Sequence, residues 1–177
     1  MDRARVEHVL AAEQTGDPES LPMEALRARR GELQAVEVTL SYQRRMAQGR
    51  LDIVAAERHR RQTGGEPLDH EGIVGQLSEI LAPHTRGPGS GRLSQLMAPD
   101  PDDAQTPELD GIAGPGVLAS LTELTDAQLD QLIDDLAAFE TQCSGLRREL
   151  HERIDQLQHE VVRRYRTGEA SVETLLQ

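Results

Sequence analysis

Apolar residues recur at steps of three and four along two long stretches of the chain. In the first stretch they are Leu26, Leu33, Val36, Leu40, Ala47, Leu51 and Val54. In the second they are Leu129, Leu136, Phe139, Cys143, Leu146, Leu150, Ile154, Leu157 and Val161. Such alternating steps keep one helix face on the seam of a coiled coil. The spacing predicts a first long helix over 21–63, capped by Ser20, with Pro22 in its first turn and Gly64-Gly65 as its stop. It predicts a second within 120–167, opening at Thr125 with Gln128 three residues on as a capping box, and closing before Gly168. Each helix would run roughly 60 Å if straight.

The flanking segments are less regular. Residues 1–20 form an N-terminal arm, in which Asp2–Gln14 is helix-compatible with Val6, Val9 and Leu10 on one side. Residues 168–177 form a C-terminal tail. Between the long helices, 64–119 is an acidic Gly/Pro-rich linker. A short helix is expected near 69–81, where Ile73, Leu77, Ile80 and Leu81 keep helical spacing despite Gly72 and Gly75. From Pro83 to Gly116, 12 of 34 residues are Gly or Pro, which reads as a loop or disordered linker. So long a connection permits parallel or antiparallel pairing of the helices.

Composition supports helix-on-helix packing. Only Tyr42, Phe139 and Tyr165 are aromatic, so the core must be aliphatic, which suits a bundle better than a sandwich or barrel. The expected class is all-α: a two-helix coiled-coil hairpin with short accessory helices and a long linker.

The two helices are also related to each other. Leu33–Glu66 matches Leu136–Glu169 without a gap, with thirteen identities at an offset of 103 residues. Leu33 falls on Leu136, Val36 on Phe139 and Leu51 on Ile154. Shared periodicity explains apolar matches. It does not explain why Glu37, Ser41, Arg44 and Asp52 return in register as Glu140, Ser144, Arg147 and Asp155. The repeat points to a duplicated site.

On a helical wheel Glu37, Ser41, Arg44, Gln48 and Asp52 fall within roughly 80° of arc and about 22 Å of axis, directly beside the apolar seam. Glu140, Ser144, Arg147, His151 and Asp155 do the same on the second helix. If the seams meet, both polar stripes border the interface. Arg offers paired donors that match guanine O6 and N7 or a phosphate. A carboxylate nearby can accept from guanine N1–H and N2–H2, and Ser can serve a phosphate oxygen. The alternative is structural: charged residues flanking a seam ordinarily form interhelical ion pairs. Register-keeping repetition weakens the ion-pair reading and leaves the two on an even footing.

The spacing E-x3-S-x2-R-x3-Q-x3-D, twice on two helices, resembles the RsiG family, cyclic di-GMP-responsive anti-sigma factors of actinomycetes. The stretch Ser41–Ile53 carries the resemblance most strongly. The first motif matches at all five positions; the second departs at His151, where Gln would stand. The resemblance covers the two long helices, about half of the chain. It implies an antiparallel coiled coil that holds a dimer of cyclic di-GMP between the motifs. It further implies that the loaded protein sequesters a WhiG-type sporulation sigma factor away from RNA polymerase. Glu37, Ser41, Arg44, Gln48, Asp52, Glu140, Ser144, Arg147, His151 and Asp155 would then be nucleotide-binding, with the Arg and Asp residues reading guanine and phosphate. His151 can stand in part for the amide and would add charge in mild acid.

Charge and remaining residues narrow the other options. Net charge is −12, every basic residue is Arg, and ten acids face two Arg between Pro67 and Asp126. An acidic chain is a poor non-specific ligand for nucleic acid, so direct DNA binding is not expected, while a basic partner protein is compatible. A single cysteine excludes an internal disulfide. No signal peptide or membrane-length apolar run is visible, so a cytoplasmic location and no membrane partner are expected. His151, Asp155 and His159 stand at four-residue steps, but no fourth ligand is apparent, so no metal is expected. Cys143 sits on the seam as a small core residue. The run Arg58-His59-Arg60-Arg61 and its echo Arg163-Arg164 read as favourable charge at helix C-termini. No nucleophile–base pair stands out, so the chain is not expected to be an enzyme. The sequence therefore favours a cyclic di-GMP-gated anti-sigma factor. The alternatives are a coiled-coil adaptor or scaffold without a nucleotide and, more weakly, a metal-dependent regulator.

Overall fold

The computed structural model describes residues 3–13, 17–65, 99 and 104–170. They are helical, with no strand among them. Helix α1 covers Arg3–Glu13, α2 covers Met23–Thr63, α3 covers Pro107–Ala113, α4 covers Pro115–Ala119 and α5 covers Asp126–Thr167. Short 3-10 turns, Pro18–Ser20 and Leu121–Glu123, precede α2 and α5. The expected short helix at 69–81 lies outside the described residues. Among the described residues no helix is long and apolar enough to cross a membrane.

The chain divides into two compact units. One comprises Tyr42–Cys143; the other comprises Asp2–Ser41 and Ser144–Gln177. We call them the first and second unit. In each, α2 and α5 pair antiparallel. In the first unit Arg44, Arg58 and Arg61 of α2 reach Glu140, Asp130 and Asp126 of α5, so numbers rise on one helix as they fall on the other. In the second unit Arg27, Arg30 and Glu37 meet Tyr165, Gln158 and Arg147 in the same sense. The hairpin is antiparallel, which the linker length alone left open.

The repeat extends beyond the motifs. The 3-10 turns Pro18–Ser20 and Leu121–Glu123, and the starts of α2 at Met23 and α5 at Asp126, keep the offset of 103 residues. The first helical hydrogen bonds correspond as well, Leu26 N to Pro22 O at 3.1 Å and Leu129 N to Thr125 O at 3.0 Å. Thr125 and Gln128 form the reciprocal capping box. Gln128 Oε1 accepts from Thr125 N at 2.8 Å, and Thr125 Oγ1 accepts from Gln128 N at 3.3 Å. Ser20 does not cap α2. Its hydroxyl donates to Asp17 O at 2.8 Å inside the 3-10 turn, and the Pro22 carbonyl opens the helix instead. Both long helices end on a glycine with positive φ, Gly64 at 70° and Gly168 at 78°. That conformation costs other residues energy and lets the last carbonyls be met by the following amides.

The seam is aliphatic where the spacing places it. Leu26, Leu33, Val54, Leu129, Leu136 and Leu150 have no solvent exposure, and Leu40 and Leu157 almost none. Fully burying each such side chain is worth about 1.5–3 kcal/mol. Two parts of the expected pattern need correction. The seam of α2 runs through Gln43, Arg50 and Glu57, all buried, whereas Leu51 of α2 and Leu146 and Ile154 of α5 are half-buried. Part of the stretch read as loop is helical: α3 and α4 fall within Pro83–Gly116 or just past it. Each opens on a proline, whose fixed φ and missing N–H suit the first helical turn. Leu109 and Ala113 of α3 are buried, and Arg50 fixes the helix by donating to Asp110 Oδ1 at 2.6 Å and Ala113 O at 3.0 Å. A charged seam residue is thus explained by a helix that the Gly/Pro content concealed.

Candidate nucleotide site

The ten motif residues sit beside the seam. All five of the first motif are half-buried, as are Glu140, Ser144 and Arg147, while His151 and Asp155 are exposed. In the first unit Arg44 Nη1 donates to Glu140 Oε1 at 3.1 Å. In the second unit Arg147 Nε donates to Glu37 Oε1, also at 3.1 Å. So in each unit the motif arginine of one helix meets the motif glutamate of the other. The degree of burial is nearly the same, 27 % and 21 % side-chain exposure for Arg44 and Glu140 against 26 % and 17 % for Arg147 and Glu37.

Glu37 gathers further partners. Ser41 Oγ donates to its Oε1 at 2.5 Å, and His151 Nε2 lies 3.3 Å from the same oxygen. Burial works to raise the Glu37 pKa, but the Ser41 hydroxyl and the Arg147 guanidinium outweigh it and hold the carboxyl below its ordinary value. His151 Nε2 is also 3.3 Å from Arg147 Nη2. A neutral imidazole accepts from Arg147, whereas a protonated one donates to Glu37. Gln48 stands at the equivalent position of the other motif and carries an amide.

Neither motif arginine uses its full donor fork on a carboxylate. Arg44 commits Nη1 alone, and its buried Nε has no hydrogen-bond partner among the described residues. Arg147 divides Nε and Nη2 between Glu37 and His151. Asp52 and Asp155, each eight residues and so about two turns along from its motif arginine, supply the carboxylate acceptors of the set. Paired donors with carboxylates nearby fit a ligand that carries guanine and phosphate.

A profile of the RsiG-like family matches residues 12–81 and 115–177 of the chain. The chain belongs to the RsiG-like family. That family is one of regulators of the anti-sigma-factor type, which implies a sigma factor as partner. No curated protein matches the chain.

A second duplicated constellation escaped the sequence reading. Glu57, Arg60 and Arg61 recur as Glu160, Arg163 and Arg164. In the first unit Arg60 grips buried Glu57 with both branches of its fork, Nε to Oε2 at 2.7 Å and Nη2 to Oε1 at 2.6 Å. Arg61 also donates to Glu57 and reaches across to Leu121 O, Thr122 O and Leu124 O at 2.9, 3.2 and 2.6 Å. In the second unit Arg163 grips Glu160 in the same way, at 2.7 and 2.9 Å. Arg164 reaches Pro18 O, Glu19 O and Leu21 O at 3.2, 2.9 and 2.7 Å. The carbonyls correspond one for one at the offset of 103. Each set ties the end of one long helix to the 3-10 turn that opens the other. The arginines hold both carboxyls low: Glu57 lies below its ordinary value, through Arg60 first, and Glu160 is lowered to about 2 by Arg163 and Arg164. Three of the thirteen repeat identities were the signal; only their arginines stood out in the sequence, as charge at helix C-termini.

The other singled-out residues carry structural roles. Burial of Cys143 in the core pushes its thiol up to about 11, which keeps it protonated at neutral pH. Tyr165 finds a partner in Arg27, whose guanidinium lies 5.8 Å from the ring centroid and donates to the hydroxyl. Among the described residues no group of His, Cys, Asp or Glu is placed to hold a metal.

Proposed function

We propose that this member of the family binds cyclic di-GMP, as a dimer, through Glu37, Ser41, Arg44, Gln48 and Asp52 of α2 and Glu140, Ser144, Arg147, His151 and Asp155 of α5. The loaded chain then sequesters a WhiG-type sporulation sigma factor and represses the genes it transcribes. The observation that carries this reading is the pair of equivalent Arg–Glu contacts, Arg44 with Glu140 and Arg147 with Glu37, at 3.1 Å each and only partly exposed. They place guanidinium donors at the edge of the interhelical seam, where a ligand can reach them and solvent screening is reduced. Arg44 and Arg147 would take phosphate oxygens or guanine O6 and N7. Asp52 and Asp155 would accept from guanine N1–H and N2–H2, and Ser41 and Ser144 would serve phosphate. The ligand would stabilise the paired helices by binding only the folded form.

The second reading is a coiled-coil adaptor without a nucleotide. It draws on the same contacts, since Arg–Glu pairs beside a seam are also what an ordinary coiled coil uses. Co-purification of the purified chain with a WhiG-type sigma factor, with and without cyclic di-GMP, separates the two. The proposal expects a complex that forms or tightens with the nucleotide. Complex formation indifferent to the nucleotide would favour the adaptor.

A further inference from the structure

A cavity of the second unit is built largely from positions that do not repeat. It holds about 500 Å³ and opens between the 3-10 turn Pro18–Ser20 and the last three turns of α5. Pro18 and Val162 give it apolar surface. Val162, 41 % exposed, is the one exposed large hydrophobic residue among those described. His159, Arg163 and Arg166 line the α5 side, where steps of three and four put them with Val162 on one helix face. In the first unit the places of His159, Val162 and Arg166 are held by Ala56, His59 and Thr63. The charged side chains of the lining are not all committed. Asp17 Oδ1 accepts from Glu19 N at 3.0 Å, and Arg163 is held by Glu160 and Glu169. The side chains of Arg166, His159 and Glu19 make no hydrogen bond or ion pair with another described residue. A lone exposed valine is ordinary. In a cavity of ligand-site size, between an uncommitted arginine on one wall and an uncommitted glutamate on the other, it is placed to anchor a partner.

We propose that this cavity is a docking point for the sigma factor. It takes an apolar side chain of the partner against Pro18 and Val162, with a partner carboxylate on Arg166 and a partner basic group facing Glu19. This rests on the sigma factor as partner and not on the nucleotide. A ligand with two-fold symmetry can be read by positions that both copies of the repeat share. A sigma factor has no such symmetry, so one orientation of it is selected only where the copies differ. The His159–Val162–Arg166 face is such a place.

The test measures binding of a WhiG-type sigma factor to the full chain and to Val162→Gln and Arg166→Gln, with cyclic di-GMP present and helix content checked by circular dichroism. Both side chains are exposed, so the variants should keep the fold. Each should weaken the complex by roughly tenfold or more and leave the affinity for cyclic di-GMP unchanged. Arg166→Gln should also flatten the dependence of the complex on salt. His59→Gln and Thr63→Gln, at the equivalent places of the first unit, should leave the complex as it was. Full-strength binding by folded Val162→Gln and Arg166→Gln would overturn the docking point, and so would equal losses from the first-unit pair. Loss of self-association in place of sigma-factor binding would give the cavity to a second copy of the chain and overturn it as well. If the unsubstituted chain binds no sigma factor, the partner reading falls and the docking point with it. A complex that forms with the unsubstituted chain and with both variants alike removes the docking point alone.

Discussion

Among the described residues both units use glutamate–arginine chemistry at the helix ends and again in the middle of the helices, and the two uses differ in geometry. At the helix ends Glu57 with Arg60 and Arg61, and Glu160 with Arg163 and Arg164, form short forked contacts around carboxylates with 1 % and 6 % side-chain exposure. The second arginine of each set also satisfies three backbone carbonyls of the neighbouring turn. In the middle of the helices Arg44 with Glu140, and Arg147 with Glu37, meet at one longer point and stay partly exposed. The first kind of contact suits a permanent fastening. The second suits exchange with a ligand. The same two residue types therefore separate a structural role from a binding role by the number of donors engaged and the water left nearby.

The largest expected effect is on the fastenings. Arg61→Ala and Arg164→Ala should each cost about 2–4 kcal/mol, because each leaves a carboxylate short of a partner and takes the arginine donor from three carbonyls. Chemical denaturation measures this, and the two losses should be similar. Lysine should rescue neither, since one ammonium cannot reproduce the planar fork. A loss confined to one variant would break the equivalence of the two units.

Acid should act through the same groups. The Glu160 carboxyl titrates near 2 in the folded chain against an ordinary 4.5, so the folded state binds fewer protons there than the unfolded state. Its contribution is fully present above the ordinary value and is lost as pH falls from about 4.5 toward 2. Glu57 is shifted in the same direction. Thermal melting should therefore decline across that window, and Glu160→Gln should flatten the decline. A melting temperature constant across it would contradict the assignment.

The middle contacts should behave in the opposite way. Arg44→Ala should cost less than about 1 kcal/mol of stability, as a partly exposed single ion pair does, while removing most binding of cyclic di-GMP. If it destabilises as much as Arg61→Ala, the distinction between fastening and exchangeable contact fails.

The smallest effect concerns the one departure between the motifs. His151 Nε2 lies 3.3 Å from both Arg147 Nη2 and Glu37 Oε1. His151→Gln, which makes the two motifs alike, should change the affinity for cyclic di-GMP only modestly in a calorimetric titration. A loss as large as that of Arg44→Ala would show that the two half-sites differ in kind at this position.

Much of the fold was legible because an apolar seam and a capping box are written in consecutive residues. The repeat was legible because identities in register need no structure to be counted. The polar members of the seam were not. Gln43, Arg50, Glu57 and Glu160 hold core positions, and a pattern of apolar residues skips them. Arg50 is understandable only with α3 beside it, and the Gly/Pro content hid α3 although Thr106-Pro107-Glu108 marks a helix start. The fastenings lay among the repeat identities, but their carbonyl partners are more than fifty residues away in sequence. The motif positions were legible as a stripe; that each arginine starts out paired with the opposite glutamate required the antiparallel register.

Calorimetric titration of cyclic di-GMP into the purified full chain, with Arg44→Ala and Asp155→Ala in parallel, tests the central claim most directly. The account predicts binding of a ligand pair by each unsubstituted chain and a large loss in both variants, with helix content intact. Absence of binding by the unsubstituted chain would contradict it and leave a coiled-coil adaptor, and a single ligand per chain would contradict the dimer.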